Sequence, residues 1–158
     1  ASKYADARRW DVAPDSSTIR AVVDAGTEAV VWGGNHFPTL WPCRGMLAWI
    51  KTNAVATMAD FELAWTSTDR PARMWSAPNT REIEGHATSK PIGLMLWCLS
   101  LYPDATTVLD PFMGSGTTLR AAKDLNRRAI GIEIEEKYCA IAARRMAQEV
   151  FDFTQGRG

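Results

Sequence analysis

The chain has 158 residues, of which 46% are hydrophobic and 23% charged, values close to those of average globular proteins. Its 18 basic residues balance its 18 acidic ones, which excludes a strongly basic surface as the main source of any nucleic-acid affinity. No apolar run reaches the ~18 residues of a membrane span, and residues 1–15 carry no signal-peptide pattern, so we expect a soluble intracellular protein.

The first half of the chain predicts one helix followed by strands. Asp15 and the two serines after it form a capping cluster, and the apolar spacing beyond them predicts a short amphipathic helix over 15–26 that ends at Gly26. Strands are predicted at 28–32, 46–51 and 61–66. Residues 67–87 predict a loop with one short strand around 73–75.

The second half alternates strands and helices. Pro91 is suited to the first turn of a helix, and residues 92–102 are apolar almost all round, which predicts a buried helix. Further elements are predicted as a strand over 106–110, a helix over 117–125, a strand over 129–134 and a helix over 135–150. Such alternation with short connections indicates parallel strands covered by helices. The fold class is therefore α/β, with the ligand expected at the carboxyl ends of the strands.

The three cysteines are Cys43, Cys98 and Cys139. They are odd in number, far apart and without the paired spacing of a zinc site or a disulfide framework. We predict reduced thiols, with Cys98 and Cys139 inside helices, and no metal.

A glycine-rich loop lies between the strand at 106–110 and the helix at 117–125. There the backbone can approach a ligand closely and the helix presents its free amides, which predicts a nucleotide or cofactor cradle. Glu133, 17 positions after Gly116, is predicted to end the next strand, where a carboxylate can accept hydrogen bonds from ribose hydroxyls. Thr117 stands where a phosphate-binding P-loop needs lysine, and Leu119 where the dinucleotide fingerprint needs glycine.

Residues 110–118, Asp-Pro-Phe-Met-Gly-Ser-Gly-Thr-Thr, resemble the cofactor motif of the S-adenosylmethionine-dependent DNA amino-methyltransferases. The resemblance is to the permuted class, in which the catalytic motif precedes the cofactor motif. Residues 86–91 resemble its His-x-Thr-x-Lys-Pro element, and residues 130–145 resemble the strand, acid and helix that follow the cofactor loop. Segments 32–37 and 60–67 are similar to segments common among bacterial and bacteriophage members.

The resemblance covers nearly the whole chain and implies one Rossmann-like methyltransferase domain over 1–158, with a largely parallel sheet flanked by helices. It places the target base and DNA on residues 1–87 and the cofactor on residues 88–150. Members are often dimers, so it also implies duplex DNA and a second subunit as partners, in the cytoplasm of a bacterial cell.

The implied cofactor is S-adenosylmethionine. Glu133 would accept its ribose hydroxyls, Asp110 would face its ammonium group, and the amides of 112–116 would line it. Its carboxylate would lie at the helix start beside Thr88 and Ser89; plain helix capping is the alternative for that segment, and a structural histidine is the better interpretation of His86. The implied cofactor-binding residues are Thr88, Ser89, Lys90, Pro91, Asp110, Pro111, Phe112, Gly114, Ser115, Gly116, Thr117 and Glu133.

The catalytic tetrapeptide of the family, Asp, Asn or Ser followed by Pro-Pro and an aromatic residue, does not occur in these residues. We expect it upstream of Ala1. Its first residue distinguishes adenine N6 from cytosine N4 as the methylated amine, and adenine N6 is the leading hypothesis. An inactive cofactor- or DNA-binding homologue and an RNA amino-methyltransferase are the alternatives.

Seven tryptophans and an uneven distribution of charge suggest where DNA binds. Aromatic rings can stack on an extruded base, whereas core packing is the better interpretation of Trp49 and Trp97. Arg120, Lys123, Arg127 and Arg128 are interpreted as a solvated helix face. The residues predicted to contact the target base or DNA are His36, Phe37, Trp41, Arg44, Arg73 and Trp75.

Overall fold

The structure is a computed structural model that describes residues 13–80 and 89–148. Within these residues, the helices are α1 (Ser16–Asp24), α2 (Ile92–Ser100), α3 (Thr117–Asp124) and α4 (Glu136–Ala147). The strands are β1 (Val30–Trp32), β2 (Met46–Lys51), β3 (Phe61–Thr66), β4 (Arg73–Ala77), β5 (Thr107–Asp110) and β6 (Arg128–Gly131). Two single-turn 3-10 helices, Gly34–His36 and Pro38–Leu40, follow β1 and were not expected from the sequence. Every predicted helix and strand is present, and β2 and β3 have the predicted bounds.

The largest errors in the predicted boundaries are at the ends of β6 and α4, predicted at 134 and 150 and found at Gly131 and Ala147. Strand β6 ends at Gly131, so Glu133 follows the strand instead of ending it. Its carboxylate accepts the amides of the next two residues, which turns the chain before helix α4. Helix α4 ends at Ala147, because Gln148 is extended and the Lys123 ammonium donates to the carbonyls of Met146 and Gln148.

The strands form a mixed set of sheets. Four strands lie in the order β1-β3-β2-β4, and β1 runs antiparallel to β3 with Val31 opposite Trp65. Strands β5 and β6 form a separate parallel pair with Leu109 opposite Ile130. The α/β class is confirmed, and the expected parallel order is found in β5-β6, whereas the β1-β3 pair departs from it.

The chain divides into two compact units, the first of which includes residues 13–48 and 62–73. Its core is built on Ile19, Leu40 and Trp65, with Val23 and Phe37 packed against them. Helix α1 begins as predicted, because the Asp15 carboxylate accepts the Thr18 amide at 2.7 Å and so satisfies a first-turn donor.

The second unit includes residues 49–61, 74–80 and 89–148. Helix α3 packs against α2, α4 and both strands of the β5-β6 pair, and Leu119, Ala121 and Ala122 on it are buried. The contact with β6 is close, because a Cβ added at Gly131 would lie 2.7 Å from the Leu119 Cδ2 atom. Among the described residues, no helix has both the length and the apolar character that crossing a membrane requires. Cys98 and Cys139 lie in helices α2 and α4, as predicted.

Candidate functional site

The glycine loop, residues 111–116, joins the carboxyl end of β5 to the start of α3. Gly114 and Gly116 have left-handed backbones, with φ of 50° and 78°. Residues with a Cβ atom adopt this conformation only at an energetic cost, whereas glycine does not. The Met113 amide donates to the Ile132 carbonyl at 3.0 Å, and the Gly116 amide to the Met113 carbonyl at 2.8 Å. The loop is therefore folded against the segment that follows β6.

Glu133 lies in that following segment and links it to the glycine loop. Its Oε2 accepts the Gly114 amide at 3.0 Å. Its Oε1 accepts the amides of Ile134 and Glu135 at 2.9 and 2.8 Å. The structure thus brings Glu133 to the glycine loop, as the sequence spacing predicted, through contacts that the sequence did not predict.

Asp110, the last residue of β5, also binds a backbone amide of the loop through its carboxylate. Its Oδ1 accepts the Phe112 amide at 3.0 Å, and the Phe112 side chain is 54% exposed. The amides of Phe112, Met113, Gly114 and Gly116 therefore all donate to acceptors of the protein itself. Two of these acceptors are the carboxylates of Asp110 and Glu133, and the Phe112 ring beside them is exposed.

Ser115 and Thr117 are buried and are held by helix α4. One Arg145 nitrogen, Nη1, donates to the Ser115 carbonyl at 3.2 Å and to the Thr117 hydroxyl oxygen at 3.0 Å. Sequence reasoning missed Arg145, because a basic residue in the last turn of a helix is ordinarily assigned to the helix dipole. Pro111 opens the loop directly after Asp110.

A second group of predicted residues precedes helix α2. Pro91 is the N-terminal cap residue of α2, and no side chain in the described part of the chain caps this helix by hydrogen bonding. The Ser89 hydroxyl oxygen is buried and has no hydrogen-bond partner among residues 13–80 and 89–148. Lys90 lies between them, and Thr88 and His86 lie outside the described residues. The first turns of α2 and α3 meet where the Thr118 hydroxyl lies 3.6 Å from the Met95 sulfur.

Five of the predicted DNA residues lie in the first unit: His36, Phe37, Trp41, Arg44 and, at its end, Arg73. His36 is exposed, with Nε2 3.4 Å from the Asn35 side-chain nitrogen, and Trp41 is 42% exposed. Phe37 packs against the core cluster. Arg44 Nη1 lies 3.3 Å from Asp69 Oδ1, and both side chains are exposed to solvent.

A cavity of about 220 Å³ lies beside this ion pair, lined by residues 42–44 and 65–69. Cys43 lines it, and burial raises the pKa of the Cys43 thiol. The Trp65 indole nitrogen is a buried donor without a partner among the described residues.

Arg73 and Trp75 lie on β4, where Arg73 is exposed. Trp75 packs on the first turn of α2, because a Cβ added at Gly93 would lie 3.2 Å from its Cζ2 atom. The prediction of core packing is confirmed for Trp49, which is 2% exposed and donates from its indole to the Ala77 carbonyl.

Arg120 and Lys123 lie on α3, Arg127 follows the helix, and Arg128 begins β6. The prediction that these four residues form a solvated helix face is wrong for the first three. Arg120 binds Asp124 at 2.8 Å and has a largely buried side chain. Lys123 donates to the end of α4, and Arg127 donates to the Leu99 carbonyl at 3.0 Å. These cations hold helices together, because the last carbonyls of a helix need donors that its own backbone lacks.

The comparison with protein families decides the assignment. The sequence profile described as DNA methylase matches residues 22–144. This chain belongs to the DNA methylase family. The resemblance inferred from the motifs is therefore confirmed.

Two curated relatives show the extent of the DNA methylase similarity. Type II methyltransferase M2.DpnII of Streptococcus pneumoniae is 40% identical over 81 residues, covering 48% of this chain and 30% of that protein. DNA adenine methyltransferase YhdJ of Escherichia coli strain K12 is 38% identical over 81 residues, covering 48% of this chain and 28% of that protein. This DNA methylase chain thus spans less than a third of the length of either relative.

The fold is shared with a solved structure. The crystal structure of the M1.HpyAVI-SAM complex superimposes with a TM-score of 0.55 at 24% identity, covering 85% of this chain and 72% of that one. The Rossmann-like methyltransferase fold expected from the sequence is confirmed.

Proposed function

We propose that the protein transfers a methyl group from S-adenosylmethionine to an exocyclic amino group of duplex DNA, with adenine N6 as the target. Membership of the DNA methylase family supports the reaction class. The relative named as a DNA adenine methyltransferase supports adenine, and cytosine N4 is the nearest alternative. We place the protein in the bacterial cytoplasm, since both relatives come from bacteria.

The observation that carries the proposal is the polar chemistry of the glycine loop. A phosphate-binding loop presents unpaired amides to its anion. Here the amides of Phe112, Met113, Gly114 and Gly116 are engaged by the protein, and two of them donate to the carboxylates of Asp110 and Glu133. Carboxylates repel phosphate and attract hydroxyl and ammonium groups. This arrangement suits a cofactor that has both a ribose and an amino-acid part.

The residues present fit S-adenosylmethionine at three places. Glu133 would accept the ribose hydroxyls, and Asp110 would pair with the ammonium group of the methionine part. The Ser89 hydroxyl, buried and without a partner among residues 13–80 and 89–148, would donate to the methionine carboxylate at the start of α2, where the helix dipole also favours a negative charge. When bound, the cofactor would supply an electrophilic methyl group on its sulfonium sulfur.

The acceptor amine is a poor nucleophile, because its lone pair is delocalised into the base. The protein must therefore hold the base outside the duplex and orient the amine. We propose exposed Trp41 and His36 for stacking, and Arg44 and Arg73 for phosphate contacts. The packing contacts of Phe37 and Trp75 favour a supporting role for those two rings. We further propose that the catalytic tetrapeptide belongs to a part of the protein outside these 158 residues.

Transfer of a labelled methyl group tests the function. The full protein is incubated with methyl-tritiated S-adenosylmethionine and, in parallel, duplex DNA, RNA and a protein mixture. We expect label in DNA alone, recovered after nucleoside digestion as N6-methyladenine. Glu133→Ala should lose most of this transfer, and the exposed Glu136→Ala serves as the matched control that keeps it.

The other outcomes separate the alternatives. Label in N4-methylcytosine would correct the target base, and label in RNA alone would show an RNA methyltransferase. Cofactor binding without transfer to any acceptor would show an inactive homologue.

A further inference from the structure

The Glu133 carboxylate is occupied more fully than a simple ribose acceptor would be. A carboxylate offers about four lone-pair positions to donors. Three are filled by backbone amides: those of Ile134 and Glu135 on Oε1 and that of Gly114 on Oε2. Among the residues that the structure describes, Gly114 is the donor to Oε2, so one position on this oxygen remains for a ligand.

The two oxygens of Glu133 hold different parts of the chain. The partners of Oε1 are the next two residues, so these bonds belong to the local turn after β6. The partner of Oε2 is Gly114, which is 19 positions away on the glycine loop. Only the Gly114 bond can be given up without rebuilding the turn.

The glycine loop has other anchors that do not involve Glu133. The Met113 amide is held by the Ile132 carbonyl, and the Gly116 amide by the Met113 carbonyl. Gly114 lies between these anchors with φ of 50°, and a glycine there can change its backbone angles at little steric cost. The Gly114 amide shares its peptide plane with the Met113 carbonyl, so rotating this peptide also releases the Gly116 amide, whereas the Met113 amide stays bound to the Ile132 carbonyl.

We propose that Glu133 is a latch for the glycine loop in the cofactor-free protein, and that ribose binding exchanges the Gly114 amide for a hydroxyl. The proposal rests on the cofactor site argued above and deepens it. A ribose diol donates two hydrogen bonds to a carboxylate that has one open position, so one amide must leave. The Gly114 amide is the one whose departure leaves the turn intact. Glu133 is in this sense a positioning residue as well as a ligand-binding one.

The latch is tested first without ligand, by nuclear magnetic resonance of the full protein labelled with 15N and 13C. The readout is the coupling across the hydrogen bond between the Gly114 amide nitrogen and the Glu133 carboxylate carbon, with the downfield shift of the Gly114 amide proton. We expect both in the wild type and in Glu136→Ala. Absence of the coupling from the free wild type would overturn the latch, without reliance on any variant.

The variant Glu133→Asp distinguishes the turn bonds made by Oε1 from the Gly114 bond made by Oε2. An aspartate can still accept the amides of the next two residues, as in an Asx turn, but its side chain is one methylene shorter. We expect the turn amides to keep their resonances while the Gly114 amide proton moves upfield. An unchanged Gly114 resonance in this variant would contradict the latch.

The exchange is tested with S-adenosylhomocysteine and its 2′,3′-dideoxy analogue as probes. We expect the Gly114–Glu133 coupling to disappear with the first and to persist with the second. Persistence with bound S-adenosylhomocysteine would overturn the exchange. Failure of S-adenosylhomocysteine to bind in a calorimetric titration would instead overturn the cofactor site, while the ligand-free measurements would still decide the latch.

Discussion

Gly116 shows that part of the glycine motif serves the packing of the protein itself. Its φ of 78° is left-handed, and a Cβ added there would lie 2.8 Å from the Ala142 Cβ on helix α4. Gly131 at the end of β6 is similar, because a Cβ there would overlap the Met113 sulfur. Glycine at these positions allows α3, α4 and the β5-β6 pair to approach one another.

We expect Gly116→Ala to lower the free energy of unfolding by about 2–4 kcal/mol, from the cost of a left-handed backbone and of overpacking against α4. Urea unfolding of the wild type and the variant measures this difference. Adding Ala142→Gly removes the facing Cβ. The free energy of unfolding should therefore fall less in the double variant than the sum of the decreases in the two single variants. Strict additivity would show that the Gly116–Ala142 contact is not the cause.

At this scale, the sequence predicted which residues meet but not how they bond. The spacing from Gly116 to Glu133 correctly placed an acid beside the loop. It did not show that the Gly114 amide donates to that acid, or that Arg145 holds Ser115 and Thr117. Spacing along strands and helices determines which ends of elements coincide, whereas the choice of hydrogen-bond partner depends on side-chain reach in three dimensions.

At the scale of elements, helix α1 illustrates a boundary that the sequence determines well. Asp15 is the N-terminal cap residue, and its Oδ1 accepts both the Thr18 amide and the Ser17 hydroxyl at 2.7 Å. The hydrogen bond from the Thr18 amide is the main reason that the pKa of the Asp15 carboxyl lies below its ordinary value, and the Ser17 hydroxyl lowers this pKa further. The ends of β6 and α4 were predicted less well, because side-chain hydrogen bonds of Glu133 and Lys123 determine them, and hydrophobic periodicity carries no information about such bonds.

Asp15→Ala should lower the free energy of unfolding at neutral pH, because the first turn of α1 loses its acceptor. Since the folded pKa of Asp15 is lowered, the stabilisation is fully present above the ordinary pKa of about 4 and is lost as pH falls through the lower folded value. Urea unfolding at a series of pH values measures the gap between wild type and variant, which should narrow below about pH 4. Asp15→Asn keeps the acceptor without the charge and should show no such narrowing. A gap that widens at low pH would contradict this account of the cap.

At the scale of the whole molecule, the order of elements predicted the α/β class, and the resemblance of the motifs implied the methyltransferase fold. Strand, helix, strand and helix in succession require a parallel pair covered by helices, and β5, α3, β6 and α4 form it. The antiparallel pairing of β1 with β3 was not predicted, because short buried strands carry no signal of direction in their residue pattern. The candidate site lies at the carboxyl end of β5, where hydrogen bonds join the glycine loop to Asp110 and Glu133.

The central claim is that this loop and Glu133 bind S-adenosylmethionine, and calorimetric titration of the cofactor into the full protein tests it most directly. We predict one site per chain in the wild type and in the Glu136→Ala control. Gly114→Leu should weaken binding by roughly tenfold or more, about 1.4 kcal/mol, because it places a branched side chain on a left-handed backbone beside Glu133 Oε2. A thermal melt of the same samples checks that the fold is kept. No binding by the wild type, or equal affinity in folded Gly114→Leu, would contradict the claim.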